Sequence, residues 1–223
     1  GFAGGEQVTV SEVEDRDWVR ETQDLDQPRH FGHGLWISPS GRSPPAHAEA
    51  VVTLDAGVAF GTGAHPTTRL CLEWLSSQAI SGARILDFGC GSGVLALAAL
   101  RRGADRALVV DVDPQALEAA RKNAERNGLL RQVMTATPDD LGPGLEWLTP
   151  PNYVLANILL EPLLKLSSTL LGVSAPSGFL CLSGILESQV ATLRQRYDLL
   201  SEISVATLDG WARLTGKIVE GGH

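Results

Sequence analysis

Three glycines at every second position, Gly89, Gly91 and Gly93, close the apolar run Ile85-Leu86-Asp87-Phe88, and an acidic residue, Asp111, ends the next apolar run 22 positions after Gly89. A strand that enters a glycine turn brings backbone close to a ligand, and a carboxylate roughly 20 residues further on can accept hydrogen bonds from both hydroxyls of a ribose. The pairing predicts a bound nucleoside, with Gly89, Gly91 and Asp111 as contacts. Asp111 could instead cap the helix that follows, but Asp113, beside Pro114, suits that position better. A dinucleotide site reads G-x-G-x-x-G. Here the third glycine falls one residue early, and Val94 occupies its place.

Two further stretches carry polar residues where a ligand is expected. Asn157 ends the apolar run Tyr153-Val154-Leu155-Ala156, and ligands of open α/β sheets lie at the carboxyl ends of the strands. The segment from Asp55 to Thr68 contains Gly57, Gly61 and Gly63, then His65-Pro66-Thr67-Thr68 before a helix. Its threonines can cap that helix. Phe60 has two readings, a cover for the ligand or a core aromatic. His65 could act as a general base or be structural, and a loop histidine before a proline favours the second. Cys71, Cys90 and Cys181 are scattered, so neither a disulfide framework nor a metal site is predicted. Cys90 reads as a small residue inside the turn, because no base stands beside it in sequence.

These residues need a scaffold of alternating strands and helices. From Val51 onward the pattern is strand-like and helix-like in turn, as in a parallel sheet covered on both faces. Strands are predicted at 51–54, 85–88, 107–111, 153–156 and 179–183, with helices at 66–77, 94–102, 162–171 and 187–197. Another helix is predicted from Pro114 to Gly128, with Asp113 as its cap and Gly128 as its stop. Segments 199–207 and 211–219 are joined through Asp209-Gly210, a hairpin signal. Residues 1–46 are polar and rich in turn formers, with a short helix expected at 14–23 and a strand at 35–38. They read as a linker segment, leaving 47–223 as the main domain.

At 223 residues, with 43% hydrophobic and 20% charged residues, the chain suits one α/β core plus an extra segment. A formal net charge of −8 argues against gripping nucleic acid through its phosphates. No apolar run approaches a membrane span and no signal peptide opens the chain, which predicts a cytoplasmic protein. The absence of an initiator methionine suggests a fragment.

The G-x-G-x-G turn resembles that of class I S-adenosylmethionine methyltransferases, whose site holds an amino acid tail and a sulfonium and cradles no phosphate. Blocks 57–68, 85–93, 111–114, 123–128 and 156–159, together with Glu14-Asp15-Arg16-Asp17-Trp18 and Leu35-Trp36-Ile37-Ser38-Pro39, are similar to the family that methylates large-subunit ribosomal protein L-eleven. The resemblance runs from about Glu14 to the end and implies a Rossmann-like α/β fold. Its mostly parallel seven-stranded sheet carries helices on both faces and a C-terminal antiparallel hairpin. It also implies S-adenosylmethionine as cofactor, S-adenosylhomocysteine as product, and cofactor contacts at Thr68, Gly89, Asp111 and Asn157.

Asn157 would also be catalytic, its side-chain oxygen facing the attacking amine. Adenine methyltransferases follow this position with two prolines and an aromatic residue that stacks on the base, whereas Ile158, Leu159 and Leu160 follow here, which favours a protein amine. The implied substrates are lysine side chains and the N-terminal amine of the ribosomal protein, with no direct nucleic-acid or membrane contact and a monomeric enzyme. Two departures stand out: the family's N-terminal substrate-recognition domain is missing, and Thr22 stands where a second linker tryptophan is expected. Competing readings are a cofactor-binding module without catalysis, a methyltransferase for another protein amine, and a nicotinamide oxidoreductase. Val94 and the terminal hairpin disfavour the last.

Overall fold

The computed structural model describes residues 27–55, 63–141 and 150–219. The expected helix at 14–23, Thr22, Phe60 and the Gly61-Thr62 pair lie outside the described residues. Strands β1 (Arg29–His30), β2 (Leu35–Pro39) and β3 (Ala50–Leu54) form a small sheet, with β1 antiparallel to β2 and β2 parallel to β3. The chain continues through α1 (Pro66–Ser76), β4 (Arg84–Phe88), α2 (Val94–Arg101), β5 (Arg106–Val110), α3 (Pro114–Arg126), β6 (Val133–Ala136) and β7 (Tyr153–Asn157). It ends with α4 (Leu160–Lys165), α5 (Ser167–Val173), β8 (Phe179–Leu186), α6 (Val190–Arg196), β9 (Leu200–Leu208) and β10 (Trp211–Ile218).

The seven-stranded sheet has the order β6-β5-β4-β7-β8-β10-β9. All its pairings are parallel except those of β10, which runs antiparallel to both neighbours. Its central strands are apolar on both faces, as strands covered on two sides must be. Ile85 and Val109 face one core cluster, and Leu86, Phe88 and Leu108 face the other. Asp209 and Gly210 join β9 to β10 with φ of 50° and 78°. Positive φ at both central residues is what the right-handed twist of a two-residue hairpin demands.

Helix α2 explains the small sheet. From Val94 to Leu100 every side chain is buried, and a helix apolar all round needs cover on all sides. The large sheet covers one side, and β3 packs on the helix from another. Phe31, Leu35, Ile37, Val52 and Leu54 share one core cluster with Leu95 and Leu97. The described part of the segment expected as a linker is therefore built into this core, and the 46/47 division passes between β2 and β3. Hydrogen bonds fix the attachment: Ser76 Oγ donates to the Phe31 carbonyl (2.7 Å), and Arg102 donates to the carbonyls of His33 (2.9 Å) and Ser76 (2.7 Å).

Three local expectations are corrected. The single helix at 162–171 is two, starting at Leu160 and broken at Leu166, where Ser167 Oγ donates to the Leu164 carbonyl (3.0 Å). The threonines do not cap α1, because they lie inside its first turn; His65 caps it, Nδ1 accepting from the Thr67 N–H (3.3 Å). Edge strand β6 was not foreseen: Val133-Met134-Thr135-Ala136 is short and has no clear alternation. Among the described residues no helix is long and apolar enough to cross a membrane.

Gly184, on β8, has φ of 86°, and a Cβ there would overlap the backbone of Ile158. The Gly184→Ala variant would combine left-handed strain with a backbone clash that no rotamer relieves. Its expected cost is about 2–3 kcal/mol, read as a Tm several degrees lower in calorimetry. An unchanged Tm would show that the Asn157-Ile158 bend moves freely.

Candidate functional site

The chain bends sharply where β4 ends. Gly89, Gly91 and Gly93 all adopt left-handed φ (73°, 51° and 76°), and Gly93 is the N-cap of α2. Gly89 and Cys90 donate to the Val110 carbonyl (2.7 and 3.1 Å), so the turn is fastened to the end of β5. A Cβ at Gly89 would strike Ile158, and one at Gly93 would stand 3.0 Å from Ala120 Cβ. All three glycines thus serve conformation, and Gly89 and Gly93 serve close approach as well.

Asp111 follows β5 directly. Its Oδ2 accepts from the Gly91 N–H and its Oδ1 from the Asp113 N–H, both at 3.0 Å. Both oxygens are thereby held in place, and each retains acceptor capacity for a hydroxyl. The helix cap is Asp113, as expected, which accepts from the Gln115 N–H at 2.8 Å, so Asp111 is not needed for that cap. Beside it Val112 is 79% exposed, an apolar surface suited to a ring.

A cavity of about 1170 Å³ opens at the carboxyl ends of β4, β5 and β7, lined by Gly89, Gly91, Asp111, Val112, Asn157 and Ile158 among others. Four of the five expected site residues, Gly89, Gly91, Asp111 and Asn157, meet here. Thr68 stands behind them, nearly buried, and its hydroxyl accepts from Asn157 Nδ2 at 3.2 Å. It reaches the cavity through Asn157. Strand β7 carries Asn157 to the mouth in register with Ser183 of β8.

His65 sits at the start of α1, its ring 4.7 Å from that of Trp211. Its Nδ1 lies 2.8 Å from Thr67 Oγ1 and 3.3 Å from the Thr67 backbone nitrogen, so this ring nitrogen is occupied by the first turn of the helix. The cap accounts for this residue's place at the start of the helix. Cys90 is buried; burial first, then the charges of Asp87 and Asp111, push its thiol pKa up, which keeps it protonated.

Two contributors were missed. Asp87, fully buried on β4, accepts from the Ala96 N–H at 3.1 Å. Burial, with the charge of Asp111 adding, pushes its pKa up to about 7 against the opposing Ala96 bond. The signal was present as a charged residue inside an apolar strand. Ile158 was read only as a missing aromatic; Gly89 and Gly184 both make room for it.

The site fits an adenosine carrying an amino acid tail. Gly89, Gly91 and the Asp111 carboxylate line one cavity, both oxygens of Asp111 keep acceptor capacity, and Val112 offers an exposed apolar face beside it. The comparisons agree. A sequence model described as "Ribosomal protein L11 methyltransferase" matches residues 2–218. A ribosomal protein L11 methyltransferase of Tolumonas auensis is 47% identical over 208 residues, which is 93% of this chain and 70% of that protein. One of Vibrio cholerae is 46% identical over 209 residues, again 93% and 70%.

Among solved structures, the ribosomal protein L11 methylase of Lactobacillus delbrueckii subsp. bulgaricus superposes with a TM-score of 0.75 at 25% identity, covering 87% of this chain and 100% of its own. An RNA methyltransferase of Salinibacter ruber in complex with S-adenosyl-L-homocysteine shares the fold, with a TM-score of 0.53 at 20% identity, covering 70% and 95%. The glycine turn, the held carboxylate and the asparagine at the end of β7 thus lie within a match that spans nearly the whole sequence, and the chain belongs to the ribosomal protein L11 methyltransferase family.

Proposed function

We propose that the chain transfers methyl groups from S-adenosylmethionine to lysine side-chain amines and the N-terminal amine of ribosomal protein L11, with Asn157 as the catalytic residue. The observation that carries this reading is the orientation of the Asn157 amide. Its Nδ2 is committed to Thr68 (3.2 Å), which turns Oδ1 to the remaining side as an acceptor. Bound in the cavity, S-adenosylmethionine supplies an electrophilic methyl group on a sulfonium. Gly89 and Gly91 admit it, Asp111 receives the ribose hydroxyls, and Thr68 contributes by holding Asn157.

Asn157 Oδ1 accepts an N–H of the incoming amine and aims its lone pair. Proximity and alignment of this kind can account for most of a methyl transfer. The lysine must first lose a proton, at about 1.36 kcal/mol for each pKa unit above ambient pH. His65, with Nδ1 engaged, is not assigned that task, and the proton passes to solvent. With a net charge of −8, the chain meets the ribosomal protein directly and not RNA, and we place it in the cytoplasm as a monomer.

The test is intact mass spectrometry of purified L11 after incubation with this chain and S-adenosylmethionine. Ladders separated by one-methyl increments are expected, and they should vanish when the L11 amines are blocked beforehand. Methylation that persists on fully blocked L11 would overturn the amine assignment. A chain that binds S-adenosylhomocysteine, yet leaves L11 unchanged at any concentration, would favour the non-catalytic reading.

A further inference from the structure

Block 123–128, Asn123-Ala124-Glu125-Arg126-Asn127-Gly128, has no part in the chemistry above, yet its two asparagines are nearly buried, at 1% and 6% exposure. They lie four residues apart on one face at the end of α3, and both reach across to the small sheet. Asn127 grips Thr53 as a neighbouring strand would, Oδ1 accepting from its N–H (2.9 Å) and Nδ2 donating to its carbonyl (2.7 Å). Asn123 does something different. Its Oδ1 accepts from the Asp55 N–H (3.3 Å), and its Nδ2 donates to the Ser92 carbonyl inside the glycine turn (3.0 Å).

Each partner of Asn123 is a backbone group that can act in only one sense, so the amide has one allowed orientation. The bond to Ser92 is buried. Asp55, Ser92 and Asn123 all line the cavity, whereas Thr53 does not appear among its walls. Arg126 adds an ion pair to Asp55 (2.9 Å) on the exposed side, and surface pairs of this kind contribute little. The buried amide is therefore the principal tie between two walls that are separate in sequence, the end of β3 and the glycine turn.

We infer that Asn123 is a positioning residue for the cofactor site: it holds the glycine turn and the end of β3 in the spacing that S-adenosylmethionine binding requires, while Asn127 serves the fold alone. This rests on the placement of the cofactor in this cavity. Removing the amide leaves the Ser92 carbonyl and the Asp55 N–H without this partner, and the turn loses its fixed separation from the opposite wall. Preorganisation of the site is then lost, so the effect falls on binding more than on the methyl transfer itself.

The test measures S-adenosylhomocysteine affinity by calorimetry on the full chain, for wild type, Asn123→Ala, Asn123→Asp and Asn127→Ala. The aspartate keeps an acceptor for the Asp55 N–H but loses the donor to Ser92, and it covers the case in which the alanine variant folds poorly. Both Asn123 variants are expected to weaken binding about tenfold or more, with kcat on L11 at saturating cofactor within about threefold of wild type. The Asn127→Ala variant is expected to lower Tm and leave affinity within about twofold. Folded Asn123 variants with wild-type affinity would overturn the inference, as would an equal loss of affinity in Asn127→Ala. A wild-type chain that fails to bind S-adenosylhomocysteine would overturn the cofactor placement itself, and the inference with it.

Discussion

Replacing Asn157 with alanine is expected to lower kcat for L11 methylation by roughly 100-fold, the scale on which a misplaced reacting group loses its advantage. The amide stands at the end of β7, half-buried at the cavity mouth, with Nδ2 held by Thr68. Truncation removes the acceptor that orients the amine and leaves the Thr68 hydroxyl without its donor. Affinity for S-adenosylhomocysteine should fall far less, because the glycine turn and Asp111 remain in place.

Asn157→Asp separates the two functions of the amide. It keeps an acceptor oxygen but cannot donate to Thr68, so an intermediate loss is expected, one that Thr68→Val should approach in the native Asn157 background. Steady-state kinetics on L11 would check the series. A variant Asn157→Ala with kcat within about threefold of wild type would remove Asn157 from the chemistry.

The second large effect is on stability. Asp87 titrates near 7 in the folded chain and near the ordinary 3.8 when unfolded. A raised folded pKa means that the contribution is fully present below about pH 4 and is lost as pH rises through about 7. Over those three units, at about 1.36 kcal/mol each, the loss amounts to roughly 4 kcal/mol. The substitution Asp87→Asn would keep a carbonyl acceptor for the Ala96 N–H and carry no charge.

In urea unfolding, the difference between wild type and the Asp87→Asn variant should therefore move steadily in favour of the variant from pH 4 to 7, then level off. Other titrating groups are common to both chains and cancel in that difference. Parallel stability curves across this range would show that Asp87 ionises as freely in the folded chain as in the unfolded one.

Features written in neighbouring residues were legible in the sequence. The glycine turn, the Asp113-Pro114 cap and the Asp209-Gly210 turn each depend on a few consecutive side chains, and each formed where expected. Asp111 was placed by its spacing from the glycine turn and Asn157 by the rule that ligands gather at strand ends, and the topology brought them to one cavity. Features that depend on distant partners were not legible. Asn123 and Asn127 bond to residues 68 and 74 positions away, and nothing local distinguishes them from solvent-facing asparagines. His65 was ambiguous because a loop histidine before a helix can either cap it or act as a base, and its contacts with Thr67 appear only in the folded chain. The burial of Phe31, Leu35 and Ile37 follows from the all-apolar helix α2, whose second cover comes from a sheet that no neighbouring residue of the helix announces.

The wedge of Ile158 between two glycines has a consequence for how this sequence can change over time. At Gly89 the obstacle is the Ile158 side chain, so a smaller residue at 158 opens a route by which position 89 can gain a Cβ, at the remaining cost of its positive φ. At Gly184 the obstacle is the Ile158 backbone, and no exchange at 158 opens that route. Positions 89 and 158 can therefore drift as a coupled pair, while 184 stays closed to every other residue type as long as the chain passes over it.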